Sequence, residues 1–118
     1  MDLKYLSDLG INTDEGLAFC ADDPEFYEEM LGEYVAEGQE RIPKLRLLYS
    51  EQDWANYQIQ AHSAKNTSRM IGASHLSEKA FALEIAAKNR DTAAIRSAHE
   101  FFLDEYGTLV GKLSELLV

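Results

Sequence analysis

The sequence contains a single cysteine, Cys20, so no disulfide can form within the chain. That scarcity is typical of a reducing compartment, and we interpret Cys20 as a small, buried apolar residue. No apolar run approaches the ~20 residues that a membrane-spanning helix requires. Residues 1–10 lack the cationic segment and apolar run of a secretory signal. These absences predict a cytoplasmic protein without membrane insertion.

Basic residues are also scarce. The chain has 11 Lys and Arg against 21 Asp and Glu, which gives a formal net charge of −10. Nucleic acid and anionic membrane surfaces repel such a chain, so neither is expected as a partner. The sequence has no glycine-rich phosphate loop and no nucleophile elbow. Its histidines and carboxylates lack metal-site spacing, which argues against a bundle enzyme with a metal or cofactor core.

Four long segments carry apolar residues at alternating steps of three and four, the period of an amphipathic helix. They cover residues 23–49, 53–71, 74–88 and 92 towards the C-terminus. Because the connections are short, the pattern predicts an all-α fold, an antiparallel up-and-down four-helix bundle. We expect one monomeric domain over residues 1–118. Its bundle would occupy residues 23–118, and short helical segments in residues 1–22 would cover one end.

Residues that favour helix ends separate these segments. Asp23 followed by Pro24 is a typical helix start, because aspartate accepts from free N–H groups and proline fits the first turn. Gly72 is expected to end the second long helix in the left-handed conformation. Pro43 lies inside the first long segment and predicts a kink near residues 39–43. The other N-caps that we predict are Thr13 or Asp14, Asp53 and Ser74.

His62 lies in the segment of residues 53–71, on the side opposite its small and apolar residues. At ~100° per residue it points roughly 130° from the middle of that stripe, so we expect an exposed side chain. Residues 54–77 contain no Asp or Glu, whereas Lys65 and Arg69 follow His62 at helical spacing. A phosphoryl group at His62 would meet two cations and no acid nearby in sequence. The alternative is that small residues and amides simply pack well here.

The two other histidines have simpler interpretations. His99 falls on the inward stripe of the last segment, where a lone histidine is more often a hydrogen-bonded packing residue than a ligand or catalyst. His75 lies at a helix entrance and is expected to be solvated.

An ordered series of short motifs begins at His62. The series resembles the pattern of the histidine phosphotransfer (HPt) domain family, which is His-x-x-Lys-Gly, then Ile/Leu-Gly-Ala, then Leu-Ser and Leu-Glu. The resemblance covers most of the chain from about Asp23 onward. The matching motifs are His62-Ser63-Ala64-Lys65, Ile71-Gly72-Ala73, Leu76-Ser77 and Leu83-Glu84.

The resemblance implies that His62 accepts a phosphoryl group on Nε2 from a receiver-domain aspartate and passes it to another. It implies that Lys65 stabilises the phosphoryl charge. The chain would then be a phosphocarrier in a two-component phosphorelay, not an enzyme that turns over alone. Its implied partners are response-regulator receiver domains and a hybrid sensor histidine kinase. It would need no cofactor of its own, because the receiver domain supplies Mg²⁺.

A partner-binding surface is expected beside His62. Ile59 and Met70 are apolar on the outward stripe, where they either bind a receiver helix or are covered by a neighbouring segment. Asn66 stands where the family pattern has glycine, and its amide would either obstruct a partner or hydrogen-bond the phosphoryl group or partner. The alternative function is therefore an interaction module that docks a receiver without accepting phosphate. The predicted partner-binding residues are Gln58, Ile59, Ser63, Asn66, Arg69 and Met70.

Overall fold

The computed structural model describes residues 2–117, and in that range it contains six α-helices and no strand. The all-α prediction is confirmed. None of these helices is long and apolar enough to cross a membrane. The helices are α1 (Leu3–Asp8), α2 (Thr13–Phe19), α3 (Pro24–Glu51), α4 (Trp54–Met70), α5 (Ser74–Lys88) and α6 (Thr92–Leu116).

The four long helices, α3 to α6, form the predicted bundle. Each packs against two others, in the cyclic order α3, α4, α5, α6 and back to α3, and α4 with α5 makes the most extensive contact. The α3–α5 and α4–α6 pairs lie across the diagonals. Short connections between successive helices reverse the chain direction each time, which produces the up-and-down topology.

Aspartate caps the free N–H groups at the starts of three long helices, as predicted for α3 and α4. Asp23 accepts from the Glu25 N–H, and Asp53 accepts from the Asn56 N–H. Asp91 caps α6 in the same way. Helix α3 runs without a break through Pro43, so the segment is one helix rather than two.

Two predicted caps are wrong by one residue. Helix α2 is capped by Asn12, whose Oδ1 accepts from the Glu15 N–H, because Thr13 already has helical geometry. Helix α5 has Ala73 at its N-cap, with no side-chain hydrogen bond there. Ser74 is the first helical residue instead, and its hydroxyl donates to the Glu15 carboxylate at 3.2 Å.

Tyrosine side chains fill much of the core. Burying a hydroxyl is costly unless it is hydrogen-bonded, and all four buried tyrosines are satisfied. Their positions couple helices that are distant in sequence, which favours one register of the bundle. The pairs are Tyr27 with Ile71 O (2.7 Å), Tyr34 with Ser68 Oγ (2.9 Å), Tyr57 with His99 Nδ1 (2.8 Å) and Tyr106 with Arg41 Nη1 (3.1 Å).

His99 is a packing residue, as predicted. Its ring is buried and stacks on Tyr49, with ring centroids 3.9 Å apart. Burial lowers the pKa of His99, so the ring is neutral at pH 7. The exposed position of His75 also agrees with the sequence analysis.

The C-terminal end of α4 is held by the N-terminal segment. Asn12 donates its backbone N–H to the Gly72 carbonyl at 2.8 Å. Tyr27 donates to the neighbouring Ile71 carbonyl, and burial raises the pKa of Tyr27 to about 12, so the donor proton is retained at neutral pH. Gly72 has the expected left-handed φ of +89°.

A side chain at Gly72 should destabilise the domain for two separate reasons. The positive φ is unfavourable for alanine, and a Cβ there would lie 2.0 Å from the Asn12 carbonyl oxygen. Gly10 is a matched control, because it has φ +88° but open space around a Cβ. We expect Gly10→Ala to cost about 1–2 kcal/mol. Gly72→Ala should cost about 1–3 kcal/mol more, measured by urea unfolding. Equal losses would show that the close approach is not important.

Candidate functional site

His62 projects from the middle of α4 towards solvent. Its side chain is 51% exposed, whereas Ala61 and Ala64 on the opposite side of the helix are buried. The predicted exposure of His62 is therefore confirmed. The helical period alone places the ring outside the core and leaves it accessible to another protein.

Glu84, on α5, binds the inner nitrogen of the His62 ring. The carboxylate Oε2 lies 2.7 Å from His62 Nδ1. Residues 54–77 contain no Asp or Glu, but a carboxylate from another helix still lies beside the ring. The nearest carboxylate comes from the neighbouring helix, which the local sequence does not reveal. The only signal was the Leu83-Glu84 motif, to which the sequence analysis attached no role.

The Glu84 contact determines which ring nitrogen carries the proton. A carboxylate accepts but does not donate, so a 2.7 Å contact requires a proton on Nδ1. Lys65 Nζ is also 3.4 Å from Nδ1, but an ammonium cannot donate to a nitrogen that holds a proton. In the neutral ring Nε2 then carries the free lone pair, which makes it the nucleophilic nitrogen.

Lys65 and Glu84 form an ion pair beside the ring. Lys65 Nζ lies 2.9 Å from Glu84 Oε1, without the alignment of a good hydrogen bond, and 5.1 Å from the Phe81 ring centroid. Burial alone would raise the pKa of Glu84, but its contacts with Lys65 and His62 outweigh burial and hold that pKa below its usual value. Glu84 is therefore ionised at neutral pH, and Lys65 neutralises part of its charge.

Asn66 lies one helical turn after His62 and contacts the outer ring nitrogen. Its amide Nδ2 is 3.2 Å from His62 Nε2. The side chain is exposed, so the contact forms at the surface. Both nitrogens of the His62 ring therefore have a polar neighbour in this conformation, Glu84 on one side and Asn66 on the other.

Arg69 contacts an aromatic ring in this structure. Its guanidinium lies over the Phe19 ring, 6.0 Å from the centroid. Arg69 is three residues beyond Asn66 on α4, and the exposed ring at the end of α2 attracts it by a cation–π interaction. The two cations expected beside His62 are thus both engaged, Lys65 with Glu84 and Arg69 with Phe19.

The residues predicted to bind a partner differ in exposure. Ile59 is 58% exposed, so no segment within the described residues 2–117 covers it. Gln58, Ser63 and Met70 are only partly exposed. The structure adds two exposed apolar side chains from α5, Phe81 and Ile85, which the helical period of the segment of residues 74–88 did not indicate. We call Ile59, Phe81 and Ile85 the apolar surface around His62.

An open groove of about 530 Å³ lies beside this surface, between the end of α2 and helices α4 and α5. Its walls include the Phe81 ring, which Lys65 contacts, and the Phe19 ring, which Arg69 contacts. Beside the groove, the Ser77 hydroxyl of α5 donates to the Lys65 backbone carbonyl of α4 at 2.9 Å, which links the two helices. The groove is lined by Glu15, Phe19, Lys65, Asn66, Arg69, Ser74, Ser77, Glu78 and Phe81.

The Hpt domain family model matches residues 29–117, which is more than half of the chain. The chain therefore belongs to the Hpt domain family. Members are phosphocarrier modules that act in histidine phosphotransfer in two-component signalling, and they interact with receiver domains and kinases. No curated protein and no solved structure gives a significant match.

Neutralising Glu84 should reduce stability in a pH-dependent manner. Because the pKa of Glu84 is lowered on folding, its contribution is present above the ordinary glutamate pKa of about 4.3 and is lost as the pH falls through the folded value. We expect Glu84→Gln to unfold at lower urea than wild type at neutral pH, with the difference shrinking in acid. Glu78→Gln, which removes an exposed carboxylate from the same helix, is the control. An identical pH dependence for the two variants would contradict the assignment.

Proposed function

We propose that this protein relays a phosphoryl group between receiver-domain aspartates through His62, in a two-component phosphorelay. The observation that supports this most is the His62 ring, half-exposed and held at Nδ1 by Glu84 so that Nε2 faces outward as the nucleophile. Membership of the Hpt domain family supports the same function. The partners are response-regulator receiver domains and a hybrid sensor histidine kinase.

The transfer step needs no proton movement. The Nε2 lone pair forms the N–P bond as the P–O bond of the aspartyl phosphate breaks, and its electron pair leaves with the aspartate carboxylate. The ring keeps its Nδ1 proton and becomes positively charged. Glu84, 2.7 Å from Nδ1, then faces a cation, so it favours the phosphorylated ring electrostatically.

Lys65 has a second role in this scheme. Its ammonium is close to Nδ1 and to the Glu84 carboxylate, at 3.4 and 2.9 Å. As the negatively charged phosphoryl group arrives at the ring, the flexible Lys65 side chain moves so that its ammonium also interacts with the phosphoryl oxygens. Glu84 thus positions the ring, and Lys65 offsets the phosphoryl charge.

The receiver domain supplies the remaining parts, including Mg²⁺ and the phosphorylated aspartate. Phosphoryl transfer depends mainly on alignment and charge stabilisation, so an accessible nucleophile is the main requirement on this side. The apolar surface around His62 provides the contact area, with Gln58, Ser63 and Met70 at its margin. We propose that the chain acts as a monomer, which leaves this surface free for the receiver.

The direct test is phosphoryl transfer from a phosphorylated receiver domain. Wild type should gain phosphate that is acid-labile and alkali-stable, because the N–P bond of phosphohistidine has those properties. His62→Gln should gain none. His75→Gln, which removes another exposed histidine, should behave as wild type. Receiver binding without labelling of wild type would instead identify a docking module that does not accept phosphate.

Ile59 tests the apolar surface. Ile59→Asp should weaken receiver affinity by about 1–2 kcal/mol, since it places a charge where an apolar contact forms. Leu47→Asp is a matched control, because Leu47 is an exposed aliphatic residue of α3 with 53% exposure. Both variants add one negative charge, so a difference in receiver affinity between them reports the effect of the position of the substitution. Equal affinities by calorimetry would remove Ile59 from the interface.

A further inference from the structure

Asn66 contacts the nitrogen on which the proposed reaction takes place. Its amide nitrogen lies 3.2 Å from His62 Nε2, within hydrogen-bond distance. We propose that Asn66 is a gating side chain, which occupies the Nε2 lone pair in the resting protein and holds the phosphoryl group after transfer. This inference rests on the proposed function of His62 as the phosphoryl acceptor.

The orientation of the amide follows from Glu84. Because the carboxylate requires a proton on Nδ1, Nε2 in the neutral ring is an acceptor. Only the NH₂ side of the Asn66 amide can pair with an acceptor, so Nδ2 rather than Oδ1 faces the ring. Glu84 and Asn66 therefore stabilise the same tautomer from opposite sides of the ring.

This hydrogen bond opposes nucleophilic attack. The nitrogen lone pair that accepts from Asn66 is the one that must form the N–P bond. A donor engaged with that lone pair also lies in the direction from which phosphorus approaches. Asn66 must rotate away before transfer, and its exposure leaves room for that rotation. The resting protein is thus less reactive than an unoccupied imidazole would be.

The same amide stabilises the product. Once the N–P bond has formed, Nε2 has no lone pair in the ring plane, and the phosphoryl oxygens occupy the space beside it. The NH₂ group of Asn66, one helical turn away on the same face, then has charged acceptors within reach. Asn66 therefore slows both entry of the phosphoryl group and its loss by hydrolysis.

A small phosphodonor tests the gate without any contribution from receiver docking. Phosphoramidate transfers its phosphoryl group as its P–N bond breaks, and the nitrogen, already protonated in this reagent, leaves as ammonia. We expect Asn66→Ala to be phosphorylated about three- to tenfold faster than wild type, the factor associated with one intramolecular hydrogen bond. After removal of the donor, its phosphohistidine should hydrolyse faster than that of wild type.

Gln39→Ala is the matched control, since it removes an exposed amide from the interior of α3 and should match wild type in both rates. His62→Gln measures any phosphorylation at residues other than His62. If Asn66→Ala is phosphorylated no faster than wild type, Asn66 does not gate attack. If its phosphohistidine is as long-lived as that of wild type, Asn66 does not hold the phosphoryl group. Failure of wild type and Asn66→Ala alike to acquire phosphate on His62 counts against the proposed function instead.

Nitrogen-15 NMR of the imidazole tests the resting hydrogen bond independently of any phosphorylation. In wild type at a pH where the ring is neutral, Nε2 should be the unprotonated nitrogen, shifted by the hydrogen bond from Asn66. Asn66→Ala should keep the same tautomer, since Glu84 is intact, but lose that shift. An Nε2 resonance that is identical in the two proteins would overturn the inference, whatever the phosphorylation rates are.

Discussion

The close packing of α4 against α5 is the constraint on which the site depends. Small residues are buried along both helices, among them Ala61 and Ala64 on α4 and Ala80 on α5. They allow the two backbones to approach until the Glu84 carboxylate reaches His62 Nδ1. Larger side chains would hold the helices apart, because a close-packed core has little spare volume. The chemistry of an exposed histidine is thus determined by residues that are not exposed.

The rest of the bundle keeps α4 in position. Tyr34 of α3 hydrogen-bonds Ser68 of α4, and Tyr57 of α4 hydrogen-bonds His99 of α6. Side-chain hydrogen bonds therefore link α4 to both of these helices. Its C-terminal end is bound by Tyr27 and by the backbone of Asn12. In these contacts, polar groups within an apolar core have their hydrogen-bond partners. They favour one arrangement of the helices over others that would bury a similar apolar area. A fixed helix leaves His62 little freedom beyond its own side-chain rotation.

Helix boundaries were predictable wherever a local signal determined them. The aspartate caps of α3 and α4 were identified correctly, since capping depends on residues within one turn. The prediction failed at Ser74, because its hydroxyl bonds Glu15 from α2 rather than its own helix. It failed at Thr13 because the preceding Asn12 is an equally good cap, and local preference did not separate the two. The inward position of His99 on α6 was predicted correctly, but the exposed Phe81 and Ile85 of α5 were overlooked.

The sequence by itself determined that the chain forms four amphipathic helices and that His62 lies on the outer side of one of them. Both are consequences of a periodicity that a single helix contains. Only the tertiary structure decided which groups surround that histidine. Glu84 reaches Nδ1, Lys65 pairs with Glu84, and Arg69 turns to Phe19. These pairings depend on the rotation and axial offset of one helix relative to another, which side-chain packing across the whole core determines and no local pattern records.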